Sequence, residues 1–446
     1  MIIQRIKHVV AANHVLLKNA GSMVGTTLVT SALGFAYWWL AARQFPPEAV
    51  GLASAAVSAM MLLATISVLG LGTLLIGELP RQQDRRASLI TTALLFVAVL
   101  GSAIGFLFVA VAPQFIADLR PLSESLEAAA IFTLGVCLTA VTMVLDQAMI
   151  GLLRGGFQLG RNALFAVAKL GILFIVSRGL IDAGLTIYAA WALGNALSLI
   201  VLGVFALTRG VRIDACRPQW GLLRKLGRVA LGHHALNLAL QAPTLALPVL
   251  VTALLSAHMN GFFYSAWMMA MFVFSGPLAL TTVLYAIGRA DPTVVAYKIR
   301  STLRLSILAG VLANVVLLAG ADSVLHLFGE AYAANAGWSL RLLGLGVFPI
   351  IIKNHYIAIC RIRGRVTQAA LTLAATGLID LVLAGLGARL GGLTGLTAGY
   401  LTGLCLEAAF MSRRVHRAAF PTRSRSDEPV ADQTSSVPVP ARSATP

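Results

Sequence analysis

The sequence predicts an all-α membrane protein in which twelve transmembrane helices form two pseudo-symmetric six-helix bundles. Twelve nearly uncharged stretches fill residues 22–411, and each is long enough to cross a bilayer, for which a helix needs about 20 apolar residues. The composition agrees, because 58% of the residues are hydrophobic, only 11% are charged, and the mean hydropathy is +0.85. The placement of the basic residues indicates which gaps face the cytoplasm. A near-constant offset in residue number between the two halves indicates their pseudo-symmetry.

The predicted spans are helices because backbone polar groups in lipid must be satisfied within the segment. The runs are also too long and too uniformly apolar for the alternating strands of a barrel. They cover residues 22–42, 49–77, 88–112, 128–153, 162–178, 183–207, 231–256, 259–287, 305–321, 340–360, 367–388 and 391–411.

The basic residues alternate between the two sides of the membrane. Of the 34 lysines and arginines, 27 fall in every second gap or in the termini. The opposite gaps hold only Arg43, Arg120, Arg178, Arg341 and Arg389. The positive-inside rule then places both termini in the cytoplasm. This pattern accounts for the net charge of +17 without a nucleic-acid partner.

The chain divides into five predicted parts. They are an interfacial cytoplasmic N-terminus (1–21), a six-helix bundle (22–207), a basic cytoplasmic linker (208–230), a second six-helix bundle (231–412) and a disordered cytoplasmic tail (413–446). The offset is 210 residues from Gly51 to Gly261 and 207 residues from Arg154 to Arg361. Such a repeat predicts a substrate site between the halves near the middle of the membrane.

Charged side chains inside the spans are the strongest functional candidates, since each costs about 2.5–3.5 kcal/mol to insert at mid-membrane. Asp146 and Lys169 each lie eight residues from an arginine that bounds the same turn, so we expect them at equal depth. Two alternatives remain open for this pair, a structural bridge between helices or two functional groups in a cavity. Lys353 has no acid at matching depth on the next span and is expected in the cavity, whereas Glu407 is expected to reach the interface.

The full set of expected site residues has three parts. We expect the substrate cavity to be lined by Lys169, Lys353, Asp146, His355, Asn237 and Gln241. Asp146 and Asp380 are the candidate carboxylates for coupling to H⁺ or Na⁺, and Arg154, Arg161 and Arg361 are expected at the cytoplasmic entrance. No metal-site spacing, nucleotide-binding loop or nucleophile motif occurs, so we expect neither a cofactor nor an enzymatic activity.

Four segments resemble the bacterial polysaccharide and O-antigen flippases of the MATE-like multidrug/oligosaccharidyl-lipid/polysaccharide (MOP) exporter superfamily. They begin LLKNAGSMVGTTLVTSALGFAYWWLAARQFPPEAVG, LDQAMIGLLRGGFQLGRNALFAVAKLGILFI, GFFYSAWMMAMFVFSGPLALTTVLYAIGRADPTVV and LFGEAYAANAGWSLRLLGLG. The resemblance covers residues 15–412 and implies two bundles that form a V and open alternately to each side.

The resemblance also implies a cargo and a location. The cargo would be an undecaprenyl-diphosphate-linked oligosaccharide that moves from the inner to the outer leaflet of the bacterial plasma membrane. Polysaccharide polymerases and glycosyltransferases would be its partners, and Lys169 and Lys353 would be the cavity cations. The first span carries no lysine or arginine within the membrane, which argues against a peptidoglycan precursor as cargo.

Two other functions are compatible with a multi-pass protein. A MATE-type drug or cation antiporter is the alternative, and it would favour an acidic, aromatic-rich cavity. A membrane-bound polysaccharide polymerase or ligase is disfavoured, because such enzymes usually carry a large outer loop and every outer gap here is short.

Overall fold

The chain folds into helices throughout the part that the computed structural model describes, residues 14–177, 183–208, 217–218, 220–290 and 294–420. Ten of these helical segments are long and apolar enough to cross a membrane. The protein is therefore a multi-pass membrane protein.

Within the described residues, thirteen α-helices follow one another along the chain. They are α1 His14–Gln44, α2 Pro47–Val68, α3 Leu71–Glu78, α4 Arg86–Phe115, α5 Leu126–Gly151, α6 Gly155–Val176, α7 Ala183–Thr208, α8 Trp220–Leu254, α9 Ala257–Ala290, α10 Val295–His326, α11 Glu330–Leu345, α12 Val347–Ile362 and α13 Val366–Ala419. Two short 3₁₀ helices, Gln83–Arg85 and Ala117–Leu122, flank α4.

Two predicted spans are each made of two helices. The span predicted at 49–77 is interrupted by Leu69 and Gly70, which both adopt left-handed conformations between α2 and α3. The span predicted at 340–360 is interrupted at Gly346, and Pro349 near the start of α12 has no N–H to continue the helix.

Helix α13 is a hairpin of two antiparallel arms rather than one rod. Gly391 (φ −150°) and Gly392 (φ 57°) leave helical geometry and reverse the chain. The arms then touch at Gly387 and Gly395, where a Cβ on either residue would come within about 2.1 Å of the other's carbonyl oxygen. Glycine is therefore required at this contact. The arms correspond to the spans predicted at 367–388 and 391–411.

The buried side chains separate by halves of the chain. Two hydrophobic clusters lie almost entirely between residues 37 and 190, and two lie almost entirely between residues 236 and 419. Ala42 and Ala257 are the exceptions, and each is buried in the cluster of the opposite half.

The two halves meet where α2 crosses α9. A Cβ on Gly51 would lie 1.7 Å from the Ala257 carbonyl oxygen, and one on Gly261 would lie 2.2 Å from the Pro47 carbonyl oxygen. Gly51 and Gly261 are 210 residues apart, as are Pro47 and Ala257, so the two contacts are equivalent under this offset and the crossing is reciprocal. Glu48 and His258, which are also 210 residues apart, are in contact beside it, with 2.6 Å between Oε1 and Nδ1.

Three helices extend past the predicted domain limits. Helix α1 begins at His14, eight residues before the predicted span. Helix α8 begins at Trp220, inside the linker predicted at 208–230, and its apolar span is His234–Leu254. Helix α13 continues to Ala419, beyond the predicted end of the second bundle at 412. The predictions for residues 1–13 and 421–446 lie outside the described residues.

Candidate functional site

Lys169 on α6 lies inside a cage of three aromatic rings. Its Nζ is 3.7 Å from the ring centroid of Trp191 and 4.8 Å from those of Tyr37 and Phe165. The side chain is only 3% exposed, and within the described residues no carboxylate pairs with it. A desolvated ammonium gains about 2 kcal/mol from such rings, which does not replace a counter-ion.

The cage contains a second donor without an acceptor. The indole Nε1 of Trp191 is buried and has no hydrogen-bond partner among the described residues. The Tyr37 hydroxyl donates to the Ile187 carbonyl, and among the described residues neither Lys169 nor Trp191 donates to its oxygen. Buried donors are nearly always satisfied. An ammonium and an indole N–H left together therefore fit a ligand that carries negatively charged oxygens.

Local packing brings the cage together. Phe165 and Lys169 are four residues apart on α6 and share one face of that helix. Helix α7 approaches this face at Gly194, where a Cβ would lie 2.9 Å from the Cβ of Lys169. Gly194 thus allows Trp191 to reach the lysine.

The predicted equal depth of Asp146 and Lys169 is wrong, and Asp146 pairs with Arg161 instead. Arg161 donates from Nε and Nη2 to the two carboxylate oxygens at 2.9 and 2.7 Å, and Asn162 donates to the same carboxylate. The turn ends at Gly155, so Arg161 is already six residues inside α6. Its side chain faces Asp146 on the neighbouring helix α5. Arg161 is 6% exposed, so it is a buried bridge and does not lie at an open cytoplasmic entrance.

Lys353 also has an acidic partner. Its Nζ donates to Oε2 of Glu407 at 2.8 Å, and Thr376 donates to the other carboxylate oxygen. The side chains of Lys353 and Glu407 are 12% and 1% exposed. Glu407 therefore does not reach the interface as predicted, and Lys353 is not a lone cavity cation. Glu407 lies on the second arm of α13, beyond the next span along the chain, so a comparison of adjacent spans does not find it.

Asp380 is the buried carboxylate that lacks a hydrogen bond. It is 1% exposed, and neither carboxylate oxygen has a partner among the described residues. It lies against Gly403 on the other arm of α13, where a Cβ would come 2.5 Å from its Oδ1. Lys353, Glu407 and Tyr400 are its electrostatic neighbours.

The chain is similar to a multidrug resistance MATE family transporter of the MOP superfamily in an inward-facing conformation, with a TM-score of 0.67, 15% identity, and coverage of 89% of this chain and 98% of that chain. An outward-facing multidrug resistance MATE family transporter of the same superfamily matches with a TM-score of 0.62, 17% identity, and coverage of 91% and 96%. The chain has a MATE-like fold.

A third structure has the same fold with a different binding pocket. It is a MOP superfamily transporter from Pyrococcus furiosus, described by the reverse polarity of its binding pocket, which suggests a different function for that protein. It matches with a TM-score of 0.58, 15% identity, and coverage of 91% of this chain and 96% of that chain. No protein-family model matches the sequence, and no curated protein matches it.

The remaining predicted residues are spread through the MATE-like fold. His355 is fully buried and bonds the Ile351 carbonyl and the Thr302 hydroxyl, so it joins α12 to α10. Asn237 and Gln241 are half-buried on α8, as is Arg361 at the end of α12. Arg154 is exposed and lies over the ring of Phe157.

Sequence reasoning missed the three aromatic residues of the cage. Only Phe165 gave a local signal, because it precedes Lys169 by one helical turn. Tyr37 and Trp191 come from other helices of the MATE-like fold, and no spacing links them to Lys169. Among the described residues, no group of three or more His, Cys, Asp or Glu side chains could hold a metal ion.

Proposed function

We propose that the protein is a flippase that moves a polyprenyl-diphosphate-linked oligosaccharide across the bacterial plasma membrane by alternating access. In this proposal, twelve spans form two six-helix bundles, and both termini lie in the cytoplasm. The ten apolar helical segments, the hairpin of α13 and the separate clusters of each half support this count. The lipid tail stays in the bilayer while the headgroup crosses between the halves.

The caged Lys169 is the observation that carries the proposal. A diphosphate brings about two negative charges that are strongly disfavoured in hydrocarbon. Lys169 and the Trp191 indole offer donors without competing acceptors, and aromatic rings pack well against the apolar faces of sugars. Two other cations within the described helices, Arg161 and Lys353, are already neutralised by Asp146 and Glu407.

The proposed function is tested by deleting the gene in its host and measuring surface polysaccharide. Loss of the polysaccharide, with lipid-linked intermediates accumulating in the inner leaflet, is the expected result. Reintroducing the gene is the matched control and should restore the polymer. Normal polysaccharide in the deletion strain would overturn the proposal.

A drug or cation antiporter is the second candidate, and Asp380 is the observation that favours it. A buried carboxylate without hydrogen bonds suits a cation. The same deletion strain separates the two functions, because an antiporter predicts sensitivity to cationic dyes with normal polysaccharide. A flippase predicts the reverse.

Under the flippase proposal, Asp380 serves as the coupling group for H⁺ or Na⁺. Asp380→Asn keeps the shape and removes the charge, so we expect export to lose its response to an imposed ion gradient while the protein stays folded. Because an unpaired buried charge is removed, thermal stability should be unchanged or higher. Export from proteoliposomes with and without a gradient is the measurement.

Asp322→Asn is the matched control for this substitution, since Asp322 is an exposed carboxylate paired with Arg341. It should leave the gradient response intact. A wild-type response in Asp380→Asn would remove Asp380 from the coupling mechanism.

A further inference from the structure

A basic pocket opens where α12 turns into α13. Arg363, Arg365 and Arg414 line it together with Gln368 and Tyr356, and we call it the arginine pocket. Its empty volume is about 260 Å³, including the open mouth. None of its residues belongs to the Lys169 cage, and none is Asp380 or one of its neighbours Lys353, Glu407 and Tyr400. It is therefore a separate feature of the molecule.

The turn between the helices presents two of the arginines. Gly364 has a φ of +70°, and the Arg365 N–H donates to the Cys360 carbonyl at 2.8 Å to close the turn. This left-handed position favours glycine. Arg363 and Arg365 flank the glycine and are both exposed.

Neutral groups hold the third arginine at the pocket. Arg414 is half-buried, and its Nη1 donates to the Tyr356 hydroxyl at 3.0 Å. With the Gln368 amide oxygen facing the guanidinium, that oxygen accepts from Nη1 and Nη2 at 3.0 and 2.9 Å. No carboxylate in the described part of the chain pairs with any of the three arginines. Their positive charge is therefore uncompensated.

The surrounding surface strengthens the same charge. Residues 294–304, 356–368 and 411–420 together contain nine lysines and arginines and no aspartate or glutamate. The positive-inside rule assigns such a face to the cytoplasmic leaflet, whose anionic lipids attract basic groups. An anion is the ligand that this pocket fits.

An apolar stripe leads away from the pocket along α13. Leu371 lies three residues after Gln368 and Leu378 lies seven residues after Leu371, and they are 69% and 64% exposed. On a membrane-spanning helix, these leucines contact acyl chains. A ligand in the pocket would therefore have its charged end on the arginines and its apolar end against this stripe.

We propose that the arginine pocket binds the phosphate of an anionic lipid headgroup from the cytoplasmic leaflet. Guanidinium groups bind phosphate through paired N–H donors, and three converging arginines supply several of them. The leucine stripe favours a lipid over a soluble phosphate.

The test measures lipid binding by the purified full-length chain in a neutral detergent. Dioctanoyl phosphatidylglycerol should raise the unfolding temperature and remain bound in native mass spectra, whereas dioctanoyl phosphatidylcholine should do neither. Arg363→Gln/Arg365→Gln should weaken the apparent Kd for phosphatidylglycerol by about tenfold or more, because charge-assisted donors to phosphate are lost. Both arginines are exposed, so this variant should fold.

The matched control is Arg413→Gln/Arg417→Gln, which removes the same charge from exposed positions of α13 outside the pocket. It should change the Kd by less than about twofold if the pocket, rather than the general surface charge, binds the lipid. Equal weakening by the two variants, or equal stabilisation by both lipids, would overturn the proposal. Equal stabilisation by inorganic pyrophosphate would overturn the lipid as occupant. These measurements involve no transport, so their failure is distinct from failure of the flippase proposal.

Discussion

Replacing Lys169 by methionine is expected to reduce export by about 100-fold or more without lowering stability. At an effective dielectric constant of about 20, one unit charge 4 Å from another contributes roughly 4 kcal/mol, or about a thousandfold in binding. Methionine fills a similar volume inside the cage and removes a buried charge that has no carboxylate partner among the described residues. The unfolding temperature should therefore stay the same or rise. Flipping of a fluorescent polyprenyl-diphosphate sugar in proteoliposomes and thermal unfolding are the two measurements.

Two other lysines provide the controls for this result. Lys298→Met removes the same charge from a half-buried position beside Tyr297, outside the cage, and should leave export within about twofold of wild type. Lys353→Met leaves Glu407 buried without its partner and should lower stability by about 3–5 kcal/mol. A loss of stability in Lys169→Met, with export reduced only in proportion to folded protein, would make Lys169 a structural residue.

The contrast between these lysines shows how far sequence reasoning reached. Hydropathy found the apolar segments because the bilayer sets a minimum length for a span. It also marked Lys169 and Lys353 as costly charges, which holds for any position in hydrocarbon. It could not show that Lys353 faces Glu407, because that contact depends on how α12 packs against the second arm of α13.

The pairing of Asp146 illustrates a second limit. The charge of Arg161 predicts that it bounds the turn, yet the chain re-enters the helix at Gly155 after Leu153 adopts a positive φ of 56°. A shift of six residues moves a side chain by about 9 Å along the helix. That is enough to exchange one partner for another. Asp146 therefore forms its bridge with Arg161 rather than with Lys169, and Lys169 has no carboxylate partner among the described residues.

The repeat, by contrast, was visible in the sequence and acquires a mechanical meaning in the structure. Gly51 and Gly261 were related by an offset of 210 residues, and they meet at the crossing of α2 and α9. No residue larger than glycine fits there without separating the two helices. The predicted topology places this crossing near the outer surface, so alternating access requires it to open.

Joining the halves across this crossing is expected to abolish export almost completely. In a chain whose native cysteines are replaced by alanine, Glu48→Cys/His258→Cys puts two thiols where side chains of α2 and α9 are in contact at 2.6 Å. Both side chains are exposed, at 58% and 44%, so a short bis-methanethiosulfonate, which joins two thiols through reducible disulfides, can reach them. Cross-linking should hold the outer side closed, and cleaving the link with a reductant should restore export. Transport is measured before linking, after linking and after reduction.

The ion pair of Asp322 and Arg341, on the predicted outer face, supplies the matched control. Asp322 and Arg341 lie 2.7 Å apart, but both belong to the C-terminal half, on α10 and α11. Asp322→Cys/Arg341→Cys should be linked by the same reagent with little effect on export, because a bond within one half does not oppose separation of the halves. Full export by the linked Glu48→Cys/His258→Cys variant would mean that α2 and α9 stay together throughout transport. The substrate would then have to pass the membrane by a route that does not separate the halves at this crossing.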